Sequence, residues 1–538
     1  MIKLHIKALH ILLALPLCVS MGCNKDLSPN HIERAKVQNI KMNDMFGINA
    51  FEWDFLQNPN DLKDVDNIYE PNLALIKSFT QVRHYLDWEK IEDKQNDYTF
   101  NPTHRGGWNL DLVYTRAKKE NILMLVCIKN VPDWLYNTYP TQERNNEIAP
   151  IAYKADRQKP ASYLALGKAA FQFAARYGSN KTIDSSLVKV NSVPRWNGDR
   201  VNTVKIGMDL VKYVECSNEP DKWWRGKAAE MTPMEYAANL SAFYDGHKGT
   251  LGKNVGIKTA DTSIKVVLGG LAKADLNYIK AMVQWCKDNR GLNKDGSVNL
   301  CFDVINYHLY SNDNTGWFKK FVNKKRGVAP ELNVMGDVAD EFVDYAATLA
   351  PASRKIEVWT TESGYDLQPT SVQRAIPIGD KPVEVVQADW ILRSALLYAR
   401  HGVSRNFFYQ LFDTDAPGTS SGGPFGTSGF VTHDGKRPVA HYLTQISKFM
   451  GNYTYYGSMN SDPIVDIYKL GKKEMFVLTV PDEVDRKEEV ELDLKRAKVA
   501  LVYTLRPNSD DFEMKTIPTD KGKVIITATE TPQFVQGI

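Results

Sequence analysis

Eight short runs rich in β-branched, aromatic and aliphatic residues recur between residues 45 and 412, and longer amphipathic stretches separate them. The runs are 45–51 (MFGINAF), 81–88 (QVRHYLDW), 122–131 (ILMLVCIKNV), 210–219 (LVKYVECSNE), 264–272 (IKVVLGGLA), 303–310 (DVINYHLY), 355–363 (KIEVWTTES) and 404–412 (SRNFFYQLF). Strands that alternate with helices pair in parallel, because each crossover carries a helix back across the sheet. Eight such units predict a (β/α)8 barrel.

The helix signals agree with this reading. Thr232-Pro233-Met234-Glu235 is a capping box with proline at the first helical position. Asp275 opens a second amphipathic stretch that stops at Gly291. The longest connection, 136–205, is polar and is expected to shape one side of a cleft. From about 452 onward only short alternating strands remain, such as IVDIYKL, EMFVLTV and KVIITATE. They predict a small C-terminal β-sandwich.

The first residues read as a targeting segment. Lys3 and Lys7 precede an apolar run too short and interrupted for a membrane span, and VSMGC at 19–23 has lipobox character. The expected organisation is a lipoprotein signal peptide at 1–22, a polar tether at 23–40, the catalytic barrel at 41–445 and the sandwich module at 446–538. Cys23 is the expected lipidation site, which predicts an exported lipoprotein at the outer membrane or cell surface, with the periplasm as the other destination. Membrane contact is expected only through that anchor.

Formal charge is +3, and setting aside Lys3 and Lys7 leaves +1, so nothing electrostatic favours nucleic acid. Cys127, Cys216, Cys286 and Cys301 form no C-x-x-C pair and no zinc-spaced cluster. A monomer without metal or organic cofactor is expected.

In a parallel barrel, chemistry gathers at the C-terminal ends of the strands. The fourth run ends in Asn218-Glu219-Pro220 and the seventh in Thr361-Glu362-Ser363. Two carboxylates facing one opening suit glycoside hydrolysis, one protonated to serve as acid and one ionised. Pro220 is expected to hold Glu219 extended. Glu215 shares the inward face with Glu219 and reads as a barrel-core carboxylate paired with Lys or Arg.

Around these residues the chain resembles glycoside hydrolase clan A, retaining (β/α)8 enzymes with Asn-Glu at the end of strand four and a nucleophilic Glu at the end of strand seven. YVECSNEPD is similar to the E-x-x-N-E-P pattern of family 39-like members, and Glu362 in IEVWTTESG fits the nucleophile. The resemblance implies Glu219 as acid/base, Glu362 as nucleophile and Asn218 as partner of a sugar 2-hydroxyl. It also implies Arg83 beneath the nucleophile, and His308 or Tyr310 bonded to it. Many members carry tryptophan at the end of strand eight, whereas this chain offers Tyr409, Gln410 or Phe412. Trp134, Trp223, Trp224 and Trp317 are loop indoles, of which Trp134 and Trp223 are the sugar-stacking candidates.

The expected activity is that of an endo-acting β-glycosidase on an extracellular polysaccharide. The alternative is a non-catalytic, surface glycan-binding lipoprotein on a degenerate barrel. A barrel lyase or aldolase using Lys129 is a weaker third reading.

Overall fold

Eight parallel strands close into a barrel: β1 Gly47–Ala50, β2 Gln81–Asp87, β3 Leu123–Lys129, β4 Tyr213–Cys216, β5 Lys265–Leu268, β6 Val304–His308, β7 Glu357–Glu362 and β8 Arg405–Phe408. Each of the eight expected runs contains one of them. Pairing of Gly47 with Phe407 seals β1 to β8, and a Cβ at Gly47 would lie 2.6 Å from the Asn406 carbonyl oxygen. This computed structural model describes residues 32–313, 326–350, 355–415, 419 and 423–538. Cys23 and Trp317 lie outside the described residues.

A helix follows every strand: α1 Glu70–Ile76, α2 Leu110–Lys119, α3 Leu164–Tyr177, α4 Pro233–Asp245, α5 Leu276–Arg290, α6 Met335–Thr348, α7 Val383–Arg400 and α8 Pro438–Phe449. The sequence punctuation is realised in atoms. Thr232 Oγ1 accepts from the Glu235 N–H, and the Glu235 carboxylate accepts from the Thr232 N–H at 2.8 Å. Gly246 then ends α4 in the left-handed region at φ 62°. Asp275 caps α5 through the Asn277 N–H at 2.9 Å, and Gly291 follows its last turn at φ 79°. Among the described residues no helix is long and apolar enough to cross a membrane.

The barrel interior is divided along its axis. Leu125, Val267, Val304, Trp359 and Phe407 plug the lower part with apolar bulk. Above them Asn49, Arg83, Glu215, Asn306 and Thr361 are fully buried and polar. A polar layer without solvent persists only if its groups satisfy one another. That requirement organises the site above it.

The C-terminal module is built from a seven-stranded antiparallel sheet and a two-stranded ladder, Glu488–Asp493 with Lys523–Ala528. Val465, Ile467, Leu478, Leu492, Val524 and Ile526 fill the space between them. The edge of the larger sheet is Glu33–Arg34, paired with Ser458 and Gly457. The described end of the expected tether is therefore a strand of the module, because the module's free edge offers it backbone partners. Helix α8 also runs across the boundary expected at 446. The module is fastened to α7 by the ion pair of Arg400 with Asp466 at 2.7 Å.

Candidate active site

The β4 strand stops at Cys216, three residues before the expected end at Glu219. Beyond it Ser217 has φ 66° and Glu219 φ 48°, so Glu219 is left-handed rather than extended. Proline disfavours the right-handed helical region for the residue before it, and here the chain escapes to the opposite side of the map. Non-glycine residues held there cost on the order of 1–3 kcal/mol each. The loop beyond them is pinned by several bonds. Met231 N–H donates to the Pro220 carbonyl at 2.8 Å, and Asp221 accepts from the Ala272 and Lys273 N–H groups at 2.9 and 3.1 Å. The turn lifts the Glu219 carboxylate over the barrel mouth, where it remains partly exposed.

Glu362 arrives by a different device. β6 pairs with β7 at Tyr307 and Thr360, then at His308 and Glu362, so Thr361 is an extra residue in the ladder. Such a bulge re-aims side chains. It lets Thr361 and Glu362, adjacent in sequence, both address the barrel mouth. Thr361 Oγ1 meets Asn306 Nδ2 at 2.8 Å and His308 Nε2 at 3.0 Å. Glu362 Oε1 accepts from Arg83 Nη1 at 2.9 Å and from the Tyr85 hydroxyl, while Oε2 accepts from the Tyr310 hydroxyl at 2.9 Å.

Beneath Glu362, Arg83 is fully buried and uses its whole fork. Nε and Nη2 hold Glu215 at 2.7 and 2.8 Å, and Nη2 also donates to Asn218 Oδ1 at 2.8 Å. Asn49 Oδ1 accepts from Nη1 at 3.0 Å. Glu215 accepts further from the Gly270 N–H at 3.1 Å and from Asn306 Nδ2 at 3.2 Å.

The two site carboxylates are driven apart electrostatically. Burial raises Glu219 above the ordinary carboxylate range, the His308 bond opposes this, and the charge of Glu362 adds to it. Burial also pulls Glu362 upward, but the charges of His308 and Arg83 and the hydroxyls of Tyr85 and Tyr310 outweigh it and hold Glu362 low. Burial lowers His308, and the neighbouring Glu362 and Glu219 more than reverse this. One group is thus disposed to hold a proton and the other to lose it, which is the division acid–nucleophile chemistry needs. An oxygen of Glu219, an oxygen of Glu362 and a nitrogen of His308 lie within 4.8 Å of one another. Among the described residues this is the one His/carboxylate group close enough to share a cation. The Glu362 side of that group is already taken by an arginine and two hydroxyls.

The other expected residues distribute as follows. Asn218, Arg83, His308 and Tyr310 join the Glu219–Glu362 network, with His308 Nδ1 3.0 Å from Glu219 and 3.7 Å from Glu362. Tyr409 stands at the mouth with its ring edge-on to Tyr85 at 6.4 Å and to Phe425 at 5.4 Å. Phe412 instead stacks on His433 at 4.8 Å. Trp134 gives its N–H to the Glu92 carbonyl and its ring to the edge of Trp88 at 5.6 Å, so its indole is committed to packing. Trp223 is 47% exposed on the loop after β4, set against Trp224, with Lys273 4.2 Å above its ring. Lys129 is paired with Asp87 at 2.8 Å. Within 136–205, Glu147 to Pro150 line a small pocket with Asn218, Pro220 and Lys222.

Sequence reasoning missed Tyr85, Asn306 and Thr361. Tyr85 follows Arg83 by two residues and Asn306 precedes His308 by two, so period-two spacing on β2 and β6 could have found both. Thr361 follows the inward-facing Trp359 by two, so the same spacing on β7 could have found it; Glu362 is the residue that breaks the period, and the bulge brings it to the mouth.

The (β/α)8 barrel, with Glu219 just beyond strand four and Glu362 at the end of strand seven, has a fold that solved glycoside hydrolases share. Solved structures show the likeness directly. A family 39 glycoside hydrolase from Bacteroides cellulosilyticus WH2 superposes with a TM-score of 0.60 at 16% identity, covering 93% of this chain and 82% of that one. A family 30 endoxylanase from Clostridium papyrosolvens C71 gives 0.54 at 12% identity over 94% and 97% of the two chains. The catalytic domain of a family 30 xylanase C from Talaromyces cellulolyticus gives 0.51 at 11% identity over 95% and 98%. No family model matches the sequence, and no curated protein matches it.

Proposed function

We propose that the protein is a retaining β-glycosidase that cleaves an extracellular polysaccharide internally. The observation that carries the reading is the pair Glu219 and Glu362, with carboxylate oxygens within 4.8 Å of each other and opposite displacements of acidity. Retaining enzymes hold their carboxyl groups about 5–5.5 Å apart, and inverting enzymes leave about 6.5–9.5 Å for a water.

In the first step Glu362 Oε2 attacks the anomeric carbon. Among the described residues this oxygen's one hydrogen bond is from Tyr310, with His308 Nδ1 3.7 Å away, whereas Oε1 carries both Arg83 and Tyr85. The bond to the glycosidic oxygen breaks as Glu219 gives that oxygen its proton, and the leaving sugar departs as an alcohol. In the second step Glu219, now a carboxylate, takes a proton from water. The water oxygen bonds to the anomeric carbon and Glu362 leaves. Asn218 Nδ2 is the donor for the sugar 2-hydroxyl, since its Oδ1 is already bound by Arg83. Internal cleavage is supported by exposed indoles on loops: Trp223 and Trp224 beyond β4, and Trp196 between β3 and β4. In the cell we place the enzyme on a lipid anchor at Cys23; Cys23→Ser should release it from the membrane fraction.

The test is hydrolysis of xylan, mixed-linkage β-glucan, β-galactan, β-mannan and sulfated galactan by the wild type and by Glu219→Gln and Glu362→Gln. Cleavage of at least one glycan, lost in both variants, is the expected outcome. Full activity in both variants overturns the site, and binding without cleavage by the wild type favours a glycan-binding protein.

A further inference from the structure

We propose that Thr361, acting through His308, fixes which oxygen of Glu219 carries the acid proton: Oε2, the oxygen His308 does not touch. The inference rests on the glycosidase reading and deepens it by naming a positioning residue and the donating atom.

A count of hydrogens leads to this assignment. Asn306 donates its two amide hydrogens to Thr361 Oγ1 at 2.8 Å and to Glu215 Oε1 at 3.2 Å. Exchanging the amide would set its carbonyl against the Glu215 carboxylate, so this orientation stands even though Oδ1 finds no partner among the described residues. Thr361 Oγ1 therefore accepts from Asn306 and has one hydrogen left. Its other contact among the described residues is His308 Nε2 at 3.0 Å. The hydroxyl donates there, which leaves the hydrogen of a neutral imidazole on Nδ1. Nδ1 lies 3.0 Å from Glu219 Oε1. In the imidazolium both nitrogens carry hydrogen, so Oε1 receives a hydrogen bond from Nδ1 in that state as well. The carboxyl proton of Glu219 is left to Oε2, whose one hydrogen-bond contact among the described residues is Asn218 Nδ2 at 3.5 Å.

The ring is held in this position from below. A Cβ at Gly270, just beyond β5, would sit 2.1 Å from His308 Nε2, so the imidazole lies directly on the glycine backbone. The other groups around the ring are Glu362 Oε2 at 3.7 Å and, within its electrostatic reach, Arg83. Neither offers an alternative acceptor for the Thr361 hydrogen.

Two measurements test this. In protein labelled with 15N-histidine, with His308 assigned by comparison with His308→Asn, the neutral imidazole should show a protonated Nδ1 and an unprotonated Nε2. The second uses phenyl and 2,4-dinitrophenyl β-glycosides of the sugar that the enzyme releases. Thr361→Val should lose about 10-fold or more in kcat/KM on the phenyl glycoside, whose leaving group needs the acid, and little on the dinitrophenyl glycoside, whose leaving group does not. Thr361→Ser should restore the phenyl activity, and Gly270→Ala should reproduce the Thr361→Val pattern. A protonated Nε2, or an equal loss on both glycosides, overturns the role of Thr361 while leaving a cleaving enzyme a glycosidase. A wild type that cleaves no glycan overturns the glycosidase reading itself.

Discussion

Arg83 Nη1 lies 2.9 Å from Glu362 Oε1, while the other two nitrogens of the same guanidinium grip Glu215 at 2.7 and 2.8 Å. One buried cation thus serves two buried carboxylates, one structural and one at the mouth. Removing a single partner of such a cluster leaves an uncompensated charge and costs about 3–5 kcal/mol. Arg83→Met should therefore lower unfolding stability by that order in urea titration. The double variant Arg83→Met/Glu215→Gln should recover part of the loss, because one of the two orphaned charges is gone.

The activity of the site should follow a bell-shaped pH profile. Glu362 lies below the ordinary carboxylate value of 4.5 and Glu219 above it, so kcat/KM falls on the acid side as Glu362 gains its proton and on the alkaline side as Glu219 loses its own. Tyr310→Phe removes one of the bonds that favour ionised Glu362 and should move the acid limb upward, with kcat reduced. Tyr85→Phe should act in the same direction.

Glu219 also links pH to stability. Its folded pKa is raised, so the native state holds this proton more tightly than the unfolded chain does. The stabilisation is present below the unfolded pKa of about 4.5 and disappears as pH rises through the folded value. Above that range Glu219 is a charge the fold would rather not carry. Glu219→Gln should raise Tm at pH 7 and change it little at pH 4, while abolishing hydrolysis.

Away from the site, Gly246 tests the helix reading. Its φ of 62° opposes a side chain, and a Cβ there would lie 2.7 Å from the Val255 carbonyl oxygen. Gly246→Ala should cost about 1–2 kcal/mol by chemical denaturation. Thr232→Ala, at the other end of the same helix, should cost about 1 kcal/mol.

The extent to which the sequence foretold this molecule follows from the range of the forces involved. The eight strands, the Thr232 box and the ends of α5 are local features, and each was legible from spacing and composition. Glu219 and Glu362 were legible because strand ends in a parallel barrel converge on one mouth. The left-handed turn at Ser217 and Glu219 was not, since the local rule for a residue before proline points elsewhere. The bulge at Thr361 was invisible too, because register is a property of two strands and only one is read at a time. The strand at Glu33–Arg34 finds its partners more than 400 residues later, at Ser458 and Gly457, and two polar residues give no sign of that pairing.

Nucleophilic attack by Glu362 is tested most directly by the stereochemistry of the first product. Proton NMR, followed from the start of hydrolysis of the glycan the enzyme cleaves, distinguishes the initial anomer before mutarotation mixes the two. Attack by Glu362 and then by water predicts the β-anomer first. The α-anomer appearing first would contradict a nucleophilic Glu362 and the double displacement built on it.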